Sequence, residues 1–349
     1  MIFGRRKRGT AVAERRPEVQ EADRLVEAGG LTDAIDMLSR ANREDRDAEL
    51  ERALRRVRHL EGLELLANPA ADPRHPEPAT ELPPRGEQSR IPEVRPGGLT
   101  PEVLRAAILD SGCLLVRGLM DRDEALRIAD EIDRAFEVRL GLAPGETDPE
   151  GYYDELVPEP PLQIDQRDWI KEGGGVLAAD SPRLLFDMFE SFEQAGLRSV
   201  IEQYLGERPA VSAQKCTLRK ATPDVPGAWH QDGRFLGEVR SMNVWLSLSR
   251  CGDVAPSMDV IPRRLEDFVA AGTEGTFLSY QVSDQVAAEA AGDVGIVRPI
   301  FDPGDALLFD EMFLHQTGSD PSMPNPRYAI ESWFFGPSAY PDDFVPIAF

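Results

Sequence analysis

The chain has 349 residues and a formal net charge of −23, length enough for one large domain or two smaller ones. No apolar run approaches the ~18–20 residues that a bilayer-spanning helix needs, which excludes a membrane span. Residues 1–69 carry 14 Lys/Arg against 14 Asp/Glu, so the acidic excess falls on the remainder and repels a nucleic-acid backbone.

In chain order, the basic start MIFGRRKRGTAVAERR looks like the front of a secretory leader, but no apolar stretch follows it. Residues 17–66 predict three helices, with apolar positions at three- and four-residue spacing and a break at Gly29-Gly30. Ala22, Leu25, Ala34, Leu38 and Ala41 fall where the small and apolar positions of a tetratricopeptide helix pair fall, so residues 1–68 resemble one such repeat plus a third helix. A single pair cannot bury its own face, which favours packing on the main domain or on a twin chain over a peptide-binding array. A homodimer, or a protein partner held through these helices, stays open.

Eight prolines between Pro69 and Pro96 predict an extended linker over 69–97 that forms no packed core. From 98 to 349 a single catalytic domain is expected. Pro101–Asp110 predicts a helix and CLLVRGL (113–119) a strand. A helix capped by Asp121 follows, with Glu124 in the capping-box position and Leu126, Ala129, Ile132 and Phe136 on one face. Ser181-Pro182 opens another helical stretch that Gly206 closes. Residues 140–180 read as irregular, and Gly173-Gly174-Gly175 as a mobile lid segment. Beyond Val211 the runs QKCTLRK, SMNVWLSLS, SMDVIP, GTFLSYQV, GIVRPIF, ALLFD and YAIESWFF predict short strands of a sandwich or barrel. The expected class is α+β, a jelly-roll core with supporting helices. Cys113, Cys216 and Cys251 are odd in number and lack CxxC spacing, which reads as buried thiols of a reducing, cytoplasmic compartment.

Only four histidines occur, and His59 and His75 fall in the helical segment and the proline-rich stretch. His230 and Asp232 in AWHQDG are two apart, which on a strand places both on one face. His315 in GDALLFDEMFLHQTG is the remaining histidine able to complete a set. Two histidines and one carboxylate leave positions open on an ion and suit Fe(II). Arg327 follows His315 by 12 residues, across the turn SDPSMPNP. A return strand would bring its guanidinium beside the metal to hold a carboxylate, the alternative being a surface arginine paired with Glu331. No GxSxG, GxGxxG, Walker or HExxH pattern is present.

The passages WHQDG, NVWLSLS, DVIPRR, PGDALLFDEMFLHQTG and NPRYAIESWFF resemble, in order, the phytanoyl-CoA dioxygenase superfamily of Fe(II)/2-oxoglutarate-dependent oxygenases over roughly residues 98–335. The resemblance implies a double-stranded β-helix (jelly-roll, cupin-like) fold, iron on His230, Asp232 and His315, and 2-oxoglutarate held by Arg327. It also implies that Thr317 assists Arg327 and that Trp245, Gln214 and Asn243 line the co-substrate pocket. The implied reaction consumes O2 and 2-oxoglutarate, hydroxylates a small molecule and releases succinate and CO2, with no catalytic group beyond the metal ligands. Related halogenases replace the carboxylate ligand by a small residue, so Asp232 implies hydroxylation or another oxidation through the same iron-oxo species. The chain departs from the family at Arg263 and Arg264, in a loop that often borders the substrate entrance, so no substrate carries over. Lys171, Arg183, Lys215, Arg219, Arg234, Arg263 and Arg264 are the basic candidates for an anionic substrate. A cupin-like metalloenzyme that does not use 2-oxoglutarate, and a non-catalytic module acting through its N-terminal helices, are the competing readings.

Overall fold

A computed structural model describes residues 15–143, 146–225 and 227–349; the basic residues 1–14, where the leader-like start falls, lie outside the described residues. Three helices open the described chain: α1 (Pro17–Glu27), α2 (Leu31–Glu44) and α3 (Ala48–Ala67). Gly29, at φ +80°, separates the first two, a backbone conformation that glycine adopts without strain. Asp47 caps α3 by accepting from the backbone N–H groups of Glu49 and Leu50. The helices bury Ala22, Ala34, Leu38, Leu50, Leu54 and Val57, and Phe186 from the main body closes that cluster. Of the two placements open from the sequence, the helices therefore take the main domain.

The docking is polar as well as apolar. Arg58 donates to the Ala348 carbonyl at 3.0 Å. The imidazole of His59 lies 2.8 Å from the Pro346 carbonyl through Nδ1, and its Nε2 accepts from the Glu159 backbone at 3.0 Å. That pairing requires a neutral ring carrying its proton on Nδ1. Gly62 lets α3 approach the C-terminal strand so closely that a Cβ there would meet the Pro346 backbone at 2.9 Å.

The proline-rich stretch is extended but is not a free spacer. Ile91 is fully buried in the main core, the His75 ring lies 4.9 Å from that of Tyr204, and Arg240 donates to the Pro73 carbonyl at 2.6 Å. Its last residues form β1 (Glu93–Val94), parallel to β2 (Cys113–Val116). Proline cannot donate to a ladder, so such a segment rides at a sheet edge.

Helix α4 (Pro101–Ser111) is capped by Thr100 and ends at Gly112. Helix α5 (Arg122–Gly141) has Asp121 as its cap, but Glu124 pairs with Arg127 at 2.6 Å in place of returning to the cap. Its buried face is Ala125, Ile128, Ala129, Ile132 and Ala135, which leaves Leu126 exposed. Within the region read as irregular lie α6 (Arg167–Glu172) and β3 (Gly175–Leu177). Of the glycine run, read as a lid segment, Gly173 and Gly174 form a turn and Gly175 enters β3: Gly175 pairs with Arg219, the Gly174 carbonyl accepts from the Lys220 N–H at 2.8 Å, and the missing side chain of Gly175 admits Thr217, whose Cγ2 would stand 2.7 Å from a Cβ. Helix α7 (Pro182–Gln194) and helix α8 (Leu197–Leu205), which ends at Gly206, complete this half. The Ser181 side chain makes no cap hydrogen bond to α7.

Strands β4 (Ala210–Ala221), β5 (Ser241–Ser247), β7 (Ala306–Phe309), β9 (Arg327–Phe335) and β10 (Pro346–Ala348) join β1 and β2 in the order β1-β2-β7-β5-β9-β4-β10, with β3 also on β4. A small sheet pairs β6 (Ser257–Val260) with β8 (His315–Gly318). Single bridges Trp229–Val282, His230–His315 and Val260–Val297 widen it. A four-residue helix, α9 (Gly233–Leu236), follows Asp232, and α10 (Asp284–Ala291) precedes β7. One face of the large sheet meets the helices: Cys216 lies 3.5 Å from Met188, and the Phe192 and Phe334 rings are 6.1 Å apart.

Two predicted strands are absent. GTFLSYQV contributes only the Val282 bridge, because successive turns at Thr276→Thr273 and Gln281→Leu278 consume its backbone groups. In GIVRPIF only Val297 and Phe301 pair, and Pro299 supplies no donor.

Replacing Gly62 by valine is expected to cost about 2 kcal/mol by overpacking against Pro346, read as a lowered urea midpoint. Burial lowers the His59 pKa and brings that of His75 down from the ordinary 6.5 to about 4. These rings bind protons more weakly folded than unfolded, so their contribution is complete above pH 6.5 and lost as pH falls toward 4. The thermal midpoint should fall over that window, less steeply in His75→Phe.

Candidate metal centre

His230 and His315 face each other across an antiparallel bridge, exchanging backbone hydrogen bonds of 3.0 and 3.2 Å. Their side chains leave the same side of the pair, with ring centroids 4.4 Å apart. Asp232 is not on the strand with His230 as the spacing suggested. The backbone turns helical there, at φ −60° and ψ −30°, as the chain enters α9. The turn still aims the carboxylate inward: Asp232 Oδ2 lies 3.8 Å from His230 Nε2 and 3.7 Å from His315 Nε2.

Each imidazole is oriented from behind. Nδ1 of His230 lies 2.7 Å from the Ala228 carbonyl, and Nδ1 of His315 lies 3.0 Å from the Phe313 carbonyl. A carbonyl accepts only, so the proton sits on Nδ1 and the Nε2 lone pair points at Asp232. Burial, together with the neighbouring His230, lowers the His315 pKa to about 4, so that ring is neutral near pH 7. One ligand atom from each of the three residues lies within 4.8 Å of the others, a donor set that fits a divalent transition ion with positions to spare.

Around this set, alternation along the large sheet decides who faces inward. The register Trp245–Glu331, Thr217–Glu331 and Ala221–Arg327 places Asn243, Trp245, Thr217, Arg219, Arg327 and Glu331 on one face. Arg327 is 2% exposed. It donates to the Ser257 carbonyl at 3.2 Å and to Glu331 at 3.4 Å, and its guanidinium stands 5.3 Å from the Trp245 ring. Pairing with Glu331 and a buried position in the site, alternatives at the level of sequence, thus occur together. The Arg327 Nε and the Asn243 Oδ1 are buried without a hydrogen-bond partner. Burial works to raise the Glu331 pKa, but Arg219 and Arg327 bring it below the ordinary value.

Ser257 pairs with Gly318 at the far end of β8 from His315, so Arg327 is anchored roughly 10 Å along that strand from the triad. Thr317 shares the face of His315 and sits opposite Met258. Its hydroxyl is not a partner of Arg327, whose partners among the described residues are Ser257 and Glu331. Gln214 does not face the pocket. It lies within the irregular stretch of β4 between Val211 and Cys216, donates to the Gln163 and Asp343 carbonyls at 3.2 and 3.3 Å and accepts from the Val345 N–H at 2.9 Å. Its amide ties down the C-terminal segment.

Residues that sequence reasoning did not place at the centre are Phe309, Phe235, Tyr280, Arg219, Glu331 and Lys215. The Phe309 ring packs 4.8 Å from that of His315. Lys215 and Arg219 were two of several basic candidates; the signal that separates them is strand parity with Thr217, which becomes informative once the partner strand is known. Arg263 donates to the Ala290 carbonyl and Arg264 pairs with Asp310 at 2.5 Å.

No family model matches the chain. L-proline trans-4-hydroxylase of Streptomyces griseoviridis is 26% identical over 146 residues, an alignment covering 36% of this chain and 54% of that protein. The match thus spans about half the length of the relative. Among solved structures, EctD from S. alaskensis with bound Fe aligns at TM-score 0.49 and 17% identity, over 78% of this chain and 85% of that one. The epimerase SnoN in complex with Fe3+, alpha ketoglutarate and nogalamycin RO aligns at 0.46 and 15%, over 69% and 86%.

Metal retention should depend on each imidazole. His230→Ala and His315→Ala are expected to lose Fe(II) binding by about a hundredfold or more in anaerobic dialysis, with far-ultraviolet circular dichroism unchanged.

Proposed function

We propose that this chain is an Fe(II)- and 2-oxoglutarate-dependent oxygenase that hydroxylates a small molecule. The observation that carries the reading is a two-histidine, one-carboxylate set with a buried arginine anchored on Ser257, at the other end of the β6–β8 pair from His315. His230, Asp232 and His315 would hold the iron. Arg327 would take the distal carboxylate of 2-oxoglutarate, since a guanidinium binds carboxylate through paired donors and its Nε is unpartnered. The roughly 10 Å along β8 suits a five-carbon dicarboxylate reaching from the arginine to the ion. Iron, 2-oxoglutarate and O2 together supply the oxidising power for C–H hydroxylation, with succinate and CO2 as by-products.

The protein's own part is positional. The Ala228 and Phe313 carbonyls fix both imidazoles, and Trp245, Phe309, Phe313 and Trp333 make a buried floor that excludes water. Trp245 also supports the guanidinium from below, a cation–π contact. Asn243 offers an acceptor on the same face.

The reading extends to architecture. The large antiparallel sheet and the bridged small sheet are the two walls of a double-stranded β-helix spanning residues 98–349, with 69–97 strapped along it and 1–68 as the helical attachment. Three buried free cysteines fit a cytoplasmic setting. The partial relative's name points to L-proline as the first substrate to assay.

Anaerobic protein loaded with Fe(II) is expected to give a visible charge-transfer band on addition of 2-oxoglutarate. Arg327→Ala should weaken 2-oxoglutarate binding about tenfold or more while leaving Fe(II) affinity in place. An equal loss of both would make the arginine structural, and a missing band in metal-loaded protein would sink the reading.

A further inference from the structure

The three inward cations near the site differ in how they are satisfied. Arg219 and Arg327 both face Glu331, at 2.9 and 3.4 Å. Lys215 has no comparable partner: its nearest carboxylate among the described residues is Asp232, with Oδ1 3.7 Å from Nζ, too long for a hydrogen bond. Asp232 is committed elsewhere, since its other oxygen faces both imidazoles and its charge is shared with the ion whenever metal is held. The Lys215 side chain is nevertheless only 19% exposed. A shielded ammonium without an acceptor is costly, and an incoming anion removes the cost.

The surroundings say where that anion sits. Nζ stands 4.0 Å from the centroid of Phe235. Phe235 meets Tyr280 edge-on at 5.2 Å, and both rings flank His230, at 6.2 and 6.5 Å. This is the open side of the centre, where the His230 side chain is 23% exposed. The cleft thus has a cation beside the metal ligands and an aromatic wall next to it. One ammonium with an acid nearby suits a singly charged group; a phosphate dianion calls for several donors or an arginine fork. Other basic candidates are engaged elsewhere: Arg183 with Glu51, Arg234 with the Val269 carbonyl, Arg264 with Asp310.

We propose that Lys215 is the receptor for a carboxylate of the primary substrate, and that the substrates are small carboxylic acids, amino acids among them, whose carbon skeleton lies against Phe235 and Tyr280. The assignment rests on the oxygenase reading and gives it a substrate class.

The test is anaerobic titration of the Fe(II)- and 2-oxoglutarate-loaded protein, following the visible band, with L-proline, L-leucine and L-phenylalanine, each against its amide. At least one acid is expected to perturb the band, with its amide binding about tenfold more weakly. Lys215→Met, which keeps the stem on Phe235, should erase that preference, and Lys215→Arg should retain it. Fe(II) and 2-oxoglutarate affinities of both variants should stay within about twofold of the parent. Loss of either affinity in Lys215→Met would assign the ammonium to the metal or co-substrate, overturning the proposal. Equal binding of acid and amide, or a band that no acid perturbs, overturns it as well. A parent protein that gives no band fails at the oxygenase reading itself, a distinguishable result.

Discussion

His230 and His315, distant in the chain, are joined by two backbone hydrogen bonds of 3.0 and 3.2 Å, and the candidate metal centre depends on that bridge. In an antiparallel pair, residues directly opposite project to the same face, so pairing the backbones also pairs the imidazoles. The carbonyls of Ala228 and Phe313, each two residues upstream of its histidine, then set both rings with Nε2 inward. One local register thereby fixes position, tautomer and direction for two of three ligands. The turn into α9 brings in the third.

The electrostatics of the cleft follow from the same sheet alternation. Inward positions of β4 and β9 carry Lys215, Arg219, Arg327 and Glu331, a cluster with more cations than acids before Asp232 is counted. Burying such charge is tolerated when each group is paired or awaits a ligand. Glu331 satisfies two arginines in part, the Nε of Arg327 is buried without a hydrogen-bond partner, and the Lys215 ammonium has a long ion pair with Asp232 at 3.7 Å. A centre that takes an anionic co-substrate at one end and an anionic substrate at the other has a physical use for both. The acidic net charge of the whole chain is compatible with this, because the field at the buried centre is set mainly by the few charges nearest to it.

The proline strap and the helical attachment act at the two ends of the large sheet, the strap as its edge strand β1 and the helices on β10. Arg58 and His59 hold the C-terminal strand through the Ala348 and Pro346 carbonyls, while Gln214 holds the same segment from β4 through Val345. The C-terminal strand is thus clamped from both sides, at an edge that would otherwise offer unpaired backbone. The helices so support the strand next to the one carrying Lys215 and Arg219, which couples their docking to the rigidity of the cleft wall.

What the sequence determined by itself was chemical identity: the scarcity of histidines left His230 and His315 as the available imidazoles of the main domain, Asp232 lay two residues from one of them, and Arg327 followed a turn. Residue scarcity and short spacing are local properties and are legible without a fold. Helix boundaries at Gly29, Asp121 and Gly206 were legible for the same reason, because caps and breakers act within a few residues. Tertiary structure alone decided which face each strand residue takes. Gln214 turned away from the pocket and Lys215 into it, since parity depends on the partner strand and on the irregularity in β4. It also decided that GTFLSYQV forms turns, that the last residue of the glycine run enters a strand, and that a proline-rich stretch without a core of its own can lend Ile91 to another. Each of these depends on contacts between residues far apart in the chain, and no window along the sequence contains both partners.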